Sequence, residues 1–352
     1  QMHFSKEIIN WYHLNKRDLP WRNTRNPYKI WLSEIILQQT KVIQGLSYYL
    51  KFIKHFPTVQ NLAQAKEDTV LKLWQGLGYY SRARNLHYSA IQIVSEFDGK
   101  FPAEYANLIK LKGVGDYTAS AVSSFCLNEN QAVVDGNVYR VLSRYFGIEN
   151  AIDSTLGKKK FKTMANDVLD KKQPGLHNQA IMEFGALQCV PKSPECKKCP
   201  LVSSCSAYSN STVNILPHKQ KKIKQRHRYF NYFIIRHGDD TYLEKRTGQG
   251  IWENLFQFPL IETAEKLVID KLVQLSEWDT LFNKSTYKIG TIHEEIKHVL
   301  SHQIIRARFF EIIIIGGFES DYLKVSLGDI DKYPVPILIG NYIEQHISSV
   351  SV

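Results

Sequence analysis

The 352-residue chain has no apolar run of the length that a membrane-spanning helix needs. Such a helix takes about 20 apolar residues, and the most apolar stretch here, Phe309 to Phe318, is interrupted by Glu311. The sequence also lacks a positively charged start followed by a short apolar segment, which is the pattern of a secretory signal. We therefore expect a cytoplasmic protein with no membrane partner.

Cysteine is scarce, with five in the chain, but four fall within seventeen residues in the order C-x6-C-x2-C-x5-C: Cys189, Cys196, Cys199 and Cys205. A reducing cytoplasm disfavours disulfides, so these thiols are interpreted as ligands of an iron–sulfur cluster or a zinc ion. Zinc sites more often contain two separate C-x2-C pairs, and the single pair here favours a cluster modestly. Cys126 is interpreted as a small buried apolar residue.

Acidic residues are few in the first two thirds of the chain. Residues 1–228 contain 33 Lys and Arg against 17 Asp and Glu, a net charge of +16, whereas residues 229–352 have 12 against 17, a net charge of −5. A polyanionic partner is therefore expected for the first part. Because metabolic enzymes can also be basic, charge alone leaves other classes of function open.

The spacing of apolar residues divides the chain in two. Residues 1–210 have helical spacing almost throughout, whereas strand patterns dominate after residue 229. Between them, His218 to Arg228 contains six Lys and Arg and no acid, which is typical of a solvated linker; a supplementary phosphate contact is the alternative. We find no internal repeat. The fold class expected is a mainly α region followed by an α+β domain.

A glycine-containing turn between two helical patterns suggests a ligand site. Gly113 and Gly115 let the backbone approach closely and point its N–H groups outward at the start of the helix near Tyr117, which suits a phosphate. Asp135 follows the apolar run 132–134, just before the next helical pattern. At such a place an Asp is usually a helix N-cap or a turn residue, and the residues alone favour that interpretation.

Together these residues resemble the helix-hairpin-helix DNA glycosylases, whose motif is L-x-G-V-G followed by an Asp in V-D-x-N-V. Both parts occur here, at 111–115 and 134–138, with Lys112 in place of the usual Pro. We expect that change to be tolerated, since backbone N–H groups would hold the phosphate. Endonuclease III-like members carry a Schiff-base lysine two residues after the last Gly, where this chain has Tyr117. The resemblance therefore points to the MutY-type adenine DNA glycosylases, which cut only the glycosidic bond.

A second stretch contains the candidate acid. Glu34 lies in a helical pattern with Ile30 and Leu37 one turn away, and desolvation there would raise its pKa and keep it protonated near neutral pH. From the pattern alone, the solvated face of the helix is the alternative. The run 31–40, WLSEIILQQT, is similar to the W-x-S-E-x-x-L-Q-Q-T of MutY. That resemblance implies that Glu34 protonates N7 of adenine.

The resemblance also implies roles for other residues. Asp135 would stabilise the oxocarbenium-like sugar or attack C1′, supported by Tyr117 and Asn137, before a water completes the hydrolysis. The base must first be flipped out of the duplex. The residues implied in DNA and base contacts are the wedges Gln39 and Tyr79, then Thr40 and Leu77 near the mismatch, then Arg22 and Gln179 at the flipped adenine. Without the family, Leu77 and Tyr79 are interpreted as packing residues, and Gln179 can equally lie on an exposed helix face.

The cysteine spacing resembles that of the [4Fe–4S] cluster of the endonuclease III and MutY families, which makes the four clustered cysteines its implied ligands. The loop 190–204 between them is then implied in DNA contact. Residues 229–352 resemble the Nudix-like C-terminal domain of MutY, with WENLFQFP at 252–259. No R-E-x-x-E-E run follows, so magnesium-dependent pyrophosphatase activity is not expected, and recognition is the remaining role.

The HVLSH sequence at 298–302 resembles the H-x-F-S-H loop that senses 8-oxoguanine in the family. This implies that Ser301, next to His302, hydrogen-bonds the N7–H/O8 edge of the damaged base. Leu300 replaces the usual Phe, which changes the packing of the loop. From the residues alone, an ordinary turn before a strand is the preferred interpretation.

We expect a monofunctional adenine DNA glycosylase of base excision repair, without strong lyase activity. It would act as a monomer, at the nucleoid, on duplex DNA with adenine opposite 8-oxoguanine or, more weakly, guanine. The expected domains are a catalytic region 1–211 (a six-helix domain at about 21–127, and a cluster domain of 1–20 plus 128–211), a basic linker 212–228 and a Nudix-like domain 229–352. An endonuclease III-type pyrimidine glycosylase/lyase and a non-catalytic, cluster-bearing DNA-binding or redox-sensing protein are the alternatives.

Overall fold

The computed structural model describes residues 2–220, 225–282 and 285–348. Their contacts divide the chain into two compact units, one of residues 1–64 and 85–221 and the other of residues 65–84 and 222–352. Among the described residues, no helix combines the length and the apolarity of a membrane span.

Helices form nearly all of the first unit, which confirms the helical spacing of residues 1–210. Asn26 caps one of them, accepting a hydrogen bond from Lys29 N at 3.2 Å, and Pro27 takes the first helical position, where no N–H is needed. The helices up to residue 209 are α1 (Met2–Asn15), α2 (Pro27–Leu37), α3 (Val42–His55), α4 (Val59–Gln64), α5 (Glu67–Trp74), α6 (Ser81–Glu96), α7 (Tyr105–Leu108), α8 (Asp116–Leu127), α9 (Gly136–Phe146), α10 (Thr155–Val168), α11 (Pro174–Leu187) and α12 (Ser206–Ser209).

The core around α9 and α11 fixes the helices that carry the candidate site. Phe4, Leu142, Phe161 and Phe184, from α1, α9, α10 and α11, are fully buried in one cluster. Burying each such side chain contributes roughly 1.5–3 kcal/mol to stability. Helix α11 packs on α1, α8 and α9, so one helix contacts both α8 and α9, which carry residues of the candidate site.

The second unit contains two sheets. The first has the order β4-β1-β7-β5, with β6 also paired to β7; β1 and β7 are parallel, and the other pairs are antiparallel. The other sheet has the order β3-β2-β8. The elements are β1 (Arg226–Arg236), β2 (Asp240–Lys245), β3 (Phe256–Gln257), β4 (Leu260–Thr263), α13 (Ile269–Leu272), α14 (Ser276–Phe282), β5 (Tyr287–Ile292), β6 (Ile296–Val299), β7 (Gln303–Ile314), β8 (Leu323–Ser326) and α15 (Ile337–His346).

Side-chain contacts explain why residues 65–84 group with the second unit, although the sequence placed them in the six-helix domain. Lys245 Nζ lies 2.7 Å from Asp68 Oδ1, and Arg84 Nη2 lies 2.9 Å from Glu253 Oε2. Pairs of residues so far apart in the chain carry no local signal. The domain boundaries from the sequence stay a prediction.

The structure differs from the sequence pattern in three places of the second unit. The apolar pattern at 333–337 predicts a strand, but residues 333–336 form none and Ile337 begins α15, since Pro334 and Pro336 have no N–H to donate to a ladder. The pattern also predicts a helix near 263–275, where the structure has only the short α13. Arg226 to Arg228, at the end of the predicted linker, belong to β1 and pair with β7. Residues 221–224 of that linker lie outside the described residues.

Candidate active site

A cavity of about 780 Å³ opens in the helical unit, within the usual size range of small-ligand sites. Glu34 and Asp135 both line it, so the structure brings the two candidate carboxyls into one pocket. The other predicted site residues that line it are Arg22, Gln39, Thr40, Tyr117, Asn137 and Gln179.

Glu34 lies on the inner side of α2 and is 6% exposed, so the interpretation of a solvated helix face is wrong. Its Oε2 accepts a hydrogen bond from the Tyr117 hydroxyl at 2.6 Å. Burial raises the pKa of Glu34 to about 7, the Tyr117 hydrogen bond opposes the rise, and the Asp135 charge adds to it. The result is a carboxyl that can carry a proton at neutral pH.

Asp135 is the N-cap of α9, as the residues alone indicated. Its Oδ1 accepts from Val138 N at 2.8 Å, and its Oδ2 accepts from Asn137 Nδ2 at 2.9 Å. Burial raises the pKa of Asp135, and these hydrogen bonds, which favour the carboxylate, work against the rise. Each carboxylate oxygen has two lone pairs, so capping leaves capacity for a second contact.

Tyr117 differs from the expectation in its hydrogen-bond partner. The sequence grouped it with Asp135, but its hydroxyl donates to Glu34. The reason is its place in the first turn of α8, which packs against α2. Asn137, in contrast, does bond Asp135, and its own Oδ1 accepts from Arg140 Nη2 at 2.9 Å.

Sequence reasoning missed Arg17 and Glu183, which also line the cavity. Glu183 is 1% exposed and accepts two hydrogen bonds from the Arg22 guanidinium, at 2.8 and 2.7 Å. Burial would raise the pKa of Glu183, but the hydrogen bonds from Arg22 and Arg17 outweigh it and lower the pKa to about 2. Glu183 lies one helical turn after Gln179, and that spacing could have indicated its position.

Three further predicted residues of this unit lie around the same cavity. Gln39, directly after α2, has a left-handed backbone with φ of 55°, a conformation that is costly for a side chain other than glycine and is found at functional sites. Thr40 N donates to Leu37 O at 3.1 Å. Gln179 is half-buried on α11, and its Oε1 accepts from the Tyr12 hydroxyl at 2.9 Å.

The turn before α8 has the backbone that the sequence indicated. Gly113 has φ of 74°, and an added Cβ would come within 2.7 Å of the Asn85 side chain. Gly115 is the N-cap of α8, so no side chain caps the first N–H groups. The Lys112 carbonyl accepts from Ser89 Oγ at 2.6 Å; this contact uses only the backbone of residue 112.

The four clustered cysteines line one small cavity with Arg144. Among the described residues, no three His, Cys, Asp or Glu side chains are arranged to hold a single metal ion. Four thiols around one cavity nevertheless form a donor set of the chemistry that an iron–sulfur cluster needs.

Arg144 connects this cavity to the backbone around it. Its side chain is almost fully buried, and Nη1 lies 3.4 Å from Cys189 Sγ and 2.8 Å from Val190 O. Its Nη2 donates to Pro191 O at 3.0 Å. The guanidinium therefore links Cys189 to the backbone of the loop 190–204.

The remaining predicted site residues belong to the second unit. Ser301 and His302 form the turn between β6 and β7, as the residues alone suggested, and the Ser301 hydroxyl is hydrogen-bonded to the Tyr79 hydroxyl. Both residues and Tyr79 line a cavity of about 370 Å³. Tyr79 is 47% exposed with φ of 48°, whereas Leu77 is buried.

The comparisons with known proteins match a helical region and a C-terminal domain to two different families. Residues 32–166 match the HhH-GPD superfamily of base excision DNA repair proteins, and residues 231–345 match the NUDIX domain. A solved thermostable thymine-DNA glycosylase is 29% identical, with a TM-score of 0.55 over 59% of this chain and 96% of its own. A solved non-covalent endonuclease III–DNA complex, 20% identical over 59% of this chain and 95% of its own, shares the fold with a TM-score of 0.52. The chain is thus a helix-hairpin-helix base excision repair protein with a Nudix-like C-terminal domain.

The particular family follows from a longer match. The adenine DNA glycosylase of Buchnera aphidicola subsp. Schizaphis graminum is 38% identical over 305 residues, which cover 85% of this chain and 84% of that protein. The chain belongs to the adenine DNA glycosylase family.

Proposed function

We propose that the protein is a monofunctional adenine DNA glycosylase that removes adenine opposite 8-oxoguanine and, more weakly, opposite guanine. The observation that carries the proposal is the pair Glu34 and Asp135, two carboxyls in different environments that line one cavity of about 780 Å³. Two such groups can divide acid catalysis and charge stabilisation between them. On this proposal the protein acts as a monomer in the cytoplasm, at the nucleoid.

The chemistry assigned to the pair follows from these environments. Glu34, with a pKa near 7, gives a proton to N7 of the flipped adenine, which turns the base into a neutral leaving group. Asp135, held by donors from Val138 and Asn137, faces the positive charge that develops on the sugar. A water then completes the hydrolysis at C1′.

The absence of lyase activity is proposed from Tyr117. Cleavage of the strand through a Schiff base needs an amine, and a phenol cannot form one. Tyr117 occupies the position of that lysine in the first turn of α8, and its hydroxyl is bonded to Glu34 instead.

Duplex DNA as the partner is supported by charge and by backbone geometry. The net charge of +16 over residues 1–228 favours a polyanion. The uncapped start of α8 presents N–H groups suited to a phosphate. Gln39 and Tyr79, the proposed wedges, both have left-handed backbones, which is consistent with side chains held out for insertion into the base stack.

Recognition of 8-oxoguanine is assigned to the turn that contains Ser301 and His302. The Ser301 hydroxyl can accept a hydrogen bond from N7–H of the damaged base, which guanine lacks. A cavity of about 370 Å³ adjoins this hydroxyl.

A [4Fe–4S] cluster would be held by Cys189, Cys196, Cys199 and Cys205. Its chemistry here is structural: it would tie residues 189–205 into one loop, with no step of the hydrolysis assigned to it. The single cavity that these four side chains line supports this assignment.

A gel assay tests the proposal. End-labelled duplexes carrying adenine opposite 8-oxoguanine, guanine or cytosine are incubated with the protein, and each sample is split and treated with or without alkali. We expect breaks at adenine after alkali only, fastest opposite 8-oxoguanine and slower opposite guanine. Breaks without alkali would overturn the monofunctional assignment, and no breaks at all would overturn the activity.

One variant and its matched control test the role of Glu34. Glu34→Gln should bind the mispaired duplex yet release adenine about 10²- to 10⁴-fold more slowly, the usual contribution of a general acid. Glu96→Gln, an exposed change on α6 outside the cavity, should retain the wild-type rate. Release by Glu34→Gln at the wild-type rate would remove Glu34 as the acid.

A further inference from the structure

The orientation of the Gln179 amide is set by a residue that does not itself line the cavity. The hydroxyl of Tyr12, on α1, donates to Gln179 Oε1 at 2.9 Å. Tyr12 is 2% exposed, and its ring lies 5.5 Å from the Arg22 guanidinium. Burial raises the pKa of Tyr12, so its hydroxyl keeps the proton that this hydrogen bond uses.

This hydrogen bond leaves the other end of the amide uncommitted. In the described part of the chain, Gln179 Nε2 makes no hydrogen bond to a side chain or to the backbone. A half-buried amide N–H₂ in the wall of a cavity has a cost unless a ligand accepts from it. The cavity wall at Gln179 therefore suits a ligand atom that accepts a hydrogen bond better than one that donates.

Adenine offers such acceptors away from the atom assigned to Glu34. When N7 faces Glu34 on α2, the purine turns its other edges toward the remaining walls, one of which is α11. The ring nitrogens on those edges, N1 and N3, have lone pairs and no hydrogen. The N6/N7 edge, in contrast, would need an acceptor in the wall as well as a donor, because N6 carries hydrogens.

We propose that Tyr12 is a positioning residue, which fixes the Gln179 amide so that Nε2 donates to N1 or N3 of the flipped adenine. The proposal deepens the proposed function and rests on it. Without the Tyr12 hydroxyl, the amide can rotate and present Oε1, which repels a nitrogen lone pair.

Tyr12→Phe isolates this effect, because it keeps the ring that packs in α1 and stacks near Arg22. Single-turnover release is measured for duplexes with adenine, 1-deazaadenine or 3-deazaadenine opposite 8-oxoguanine, and the variant is compared with the wild type on each substrate separately. We expect adenine release to fall roughly threefold to tenfold, the value of one hydrogen bond. On the analogue that lacks the accepting nitrogen, the two proteins should give the same rate.

Two further variants make the result decisive. Tyr28→Phe loses an equally buried hydroxyl, which donates to Phe56 O at 2.6 Å, and should show no preference among the three bases. Gln179→Ala should reproduce the substrate pattern of Tyr12→Phe, and the double variant should be no slower than Gln179→Ala alone.

An unchanged adenine rate in Tyr12→Phe, or an equal loss on all three bases, overturns the proposal. If Tyr12→Phe does not fold, Gln179→Ala tests the donation on which the role of Tyr12 depends, and an equal loss on all three bases overturns the proposal. The two proposals fail separately: a wild type that does not release adenine overturns the function, whereas a wild type that releases adenine no faster than Tyr12→Phe overturns only the positioning.

Discussion

The hydrogen bond between Tyr117 and Glu34 gives a prediction whose sign is set by the structure. A donor to a carboxylate stabilises its charged form and lowers its pKa. Tyr117→Phe keeps the ring and removes the hydroxyl that lies 2.6 Å from Glu34 Oε2. The pKa of Glu34, about 7 in the wild type, should therefore rise.

The magnitude follows from the strength of such bonds. A hydrogen bond to a charged group contributes about 1.5–3 kcal/mol, and a pKa shift of one unit corresponds to about 1.4 kcal/mol. Because water can replace part of the lost hydrogen bond, we expect the pKa of Glu34 to rise by about one unit. Since the protonated acid is the active form, the rate is level below the pKa and falls about tenfold per unit above it. The midpoint of this fall should move from about pH 7 to about pH 8.

Single-turnover release of adenine, measured from pH 6 to pH 9, tests this shift. Tyr117→Phe should be slower overall, but its rate relative to the wild type should increase about eightfold over that range, because the wild-type acid loses its proton at a lower pH. Tyr105→Phe is the matched control, because that hydroxyl also bonds a carboxylate, Asp116 Oδ1 at 2.9 Å, outside the cavity. A midpoint that stays or moves down in Tyr117→Phe would refute the assignment of Glu34 as the titrating acid.

Four further predictions follow from other parts of the structure. Glu183→Gln should move the midpoint of the pH-rate profile down, because Arg17 and Arg22 would lose their carboxylate partner and their charge would lower the pKa of Glu34. Gly185→Ala should slow adenine release at unchanged DNA affinity, because a Cβ there would lie 2.7 Å from Asn137 Cβ and 2.9 Å from its carbonyl. Ser301→Ala with His302→Ala should reduce the preference for 8-oxoguanine over guanine in competition assays. Metal analysis of the purified protein should give about four irons per chain with a brown colour, and one zinc would contradict the cluster.

The sequence predicted the helices of the first unit well because their apolar spacing and caps are local. Asp135 caps α9 as its place in the sequence indicated, and Asn26 before Pro27 is an equally local cap signal for α2. Pro334 and Pro336 are also local signals: because they cannot donate to a ladder, they disfavour the strand that the apolar alternation predicts. In each case the physical cause lies within a few residues of the element.

Long-range pairings could not be read in the same way. Tyr117 reaches Glu34 across 83 positions, and Glu183 meets Arg22 across 161. Both depend on how helices pack, which one sequence does not determine. The resemblance to a family placed Glu34 at the site, but it supplied neither the partner of Tyr117 nor the pair that holds Glu183.

The distribution of cations within the cavity explains why one of two buried glutamates can be an acid. Glu34 and Glu183 line the same space and are 6% and 1% exposed, yet their pKa values are about 7 and about 2. Burial acts on both in the same direction, so it cannot separate them. The difference lies in the guanidinium groups: Arg22 and Arg17 direct their hydrogen bonds to Glu183, whereas Glu34 has one phenol. The arginines thus keep Glu183 ionised, and because their hydrogen bonds go to Glu183, Glu34 can hold a proton near neutral pH, as the proposed acid must.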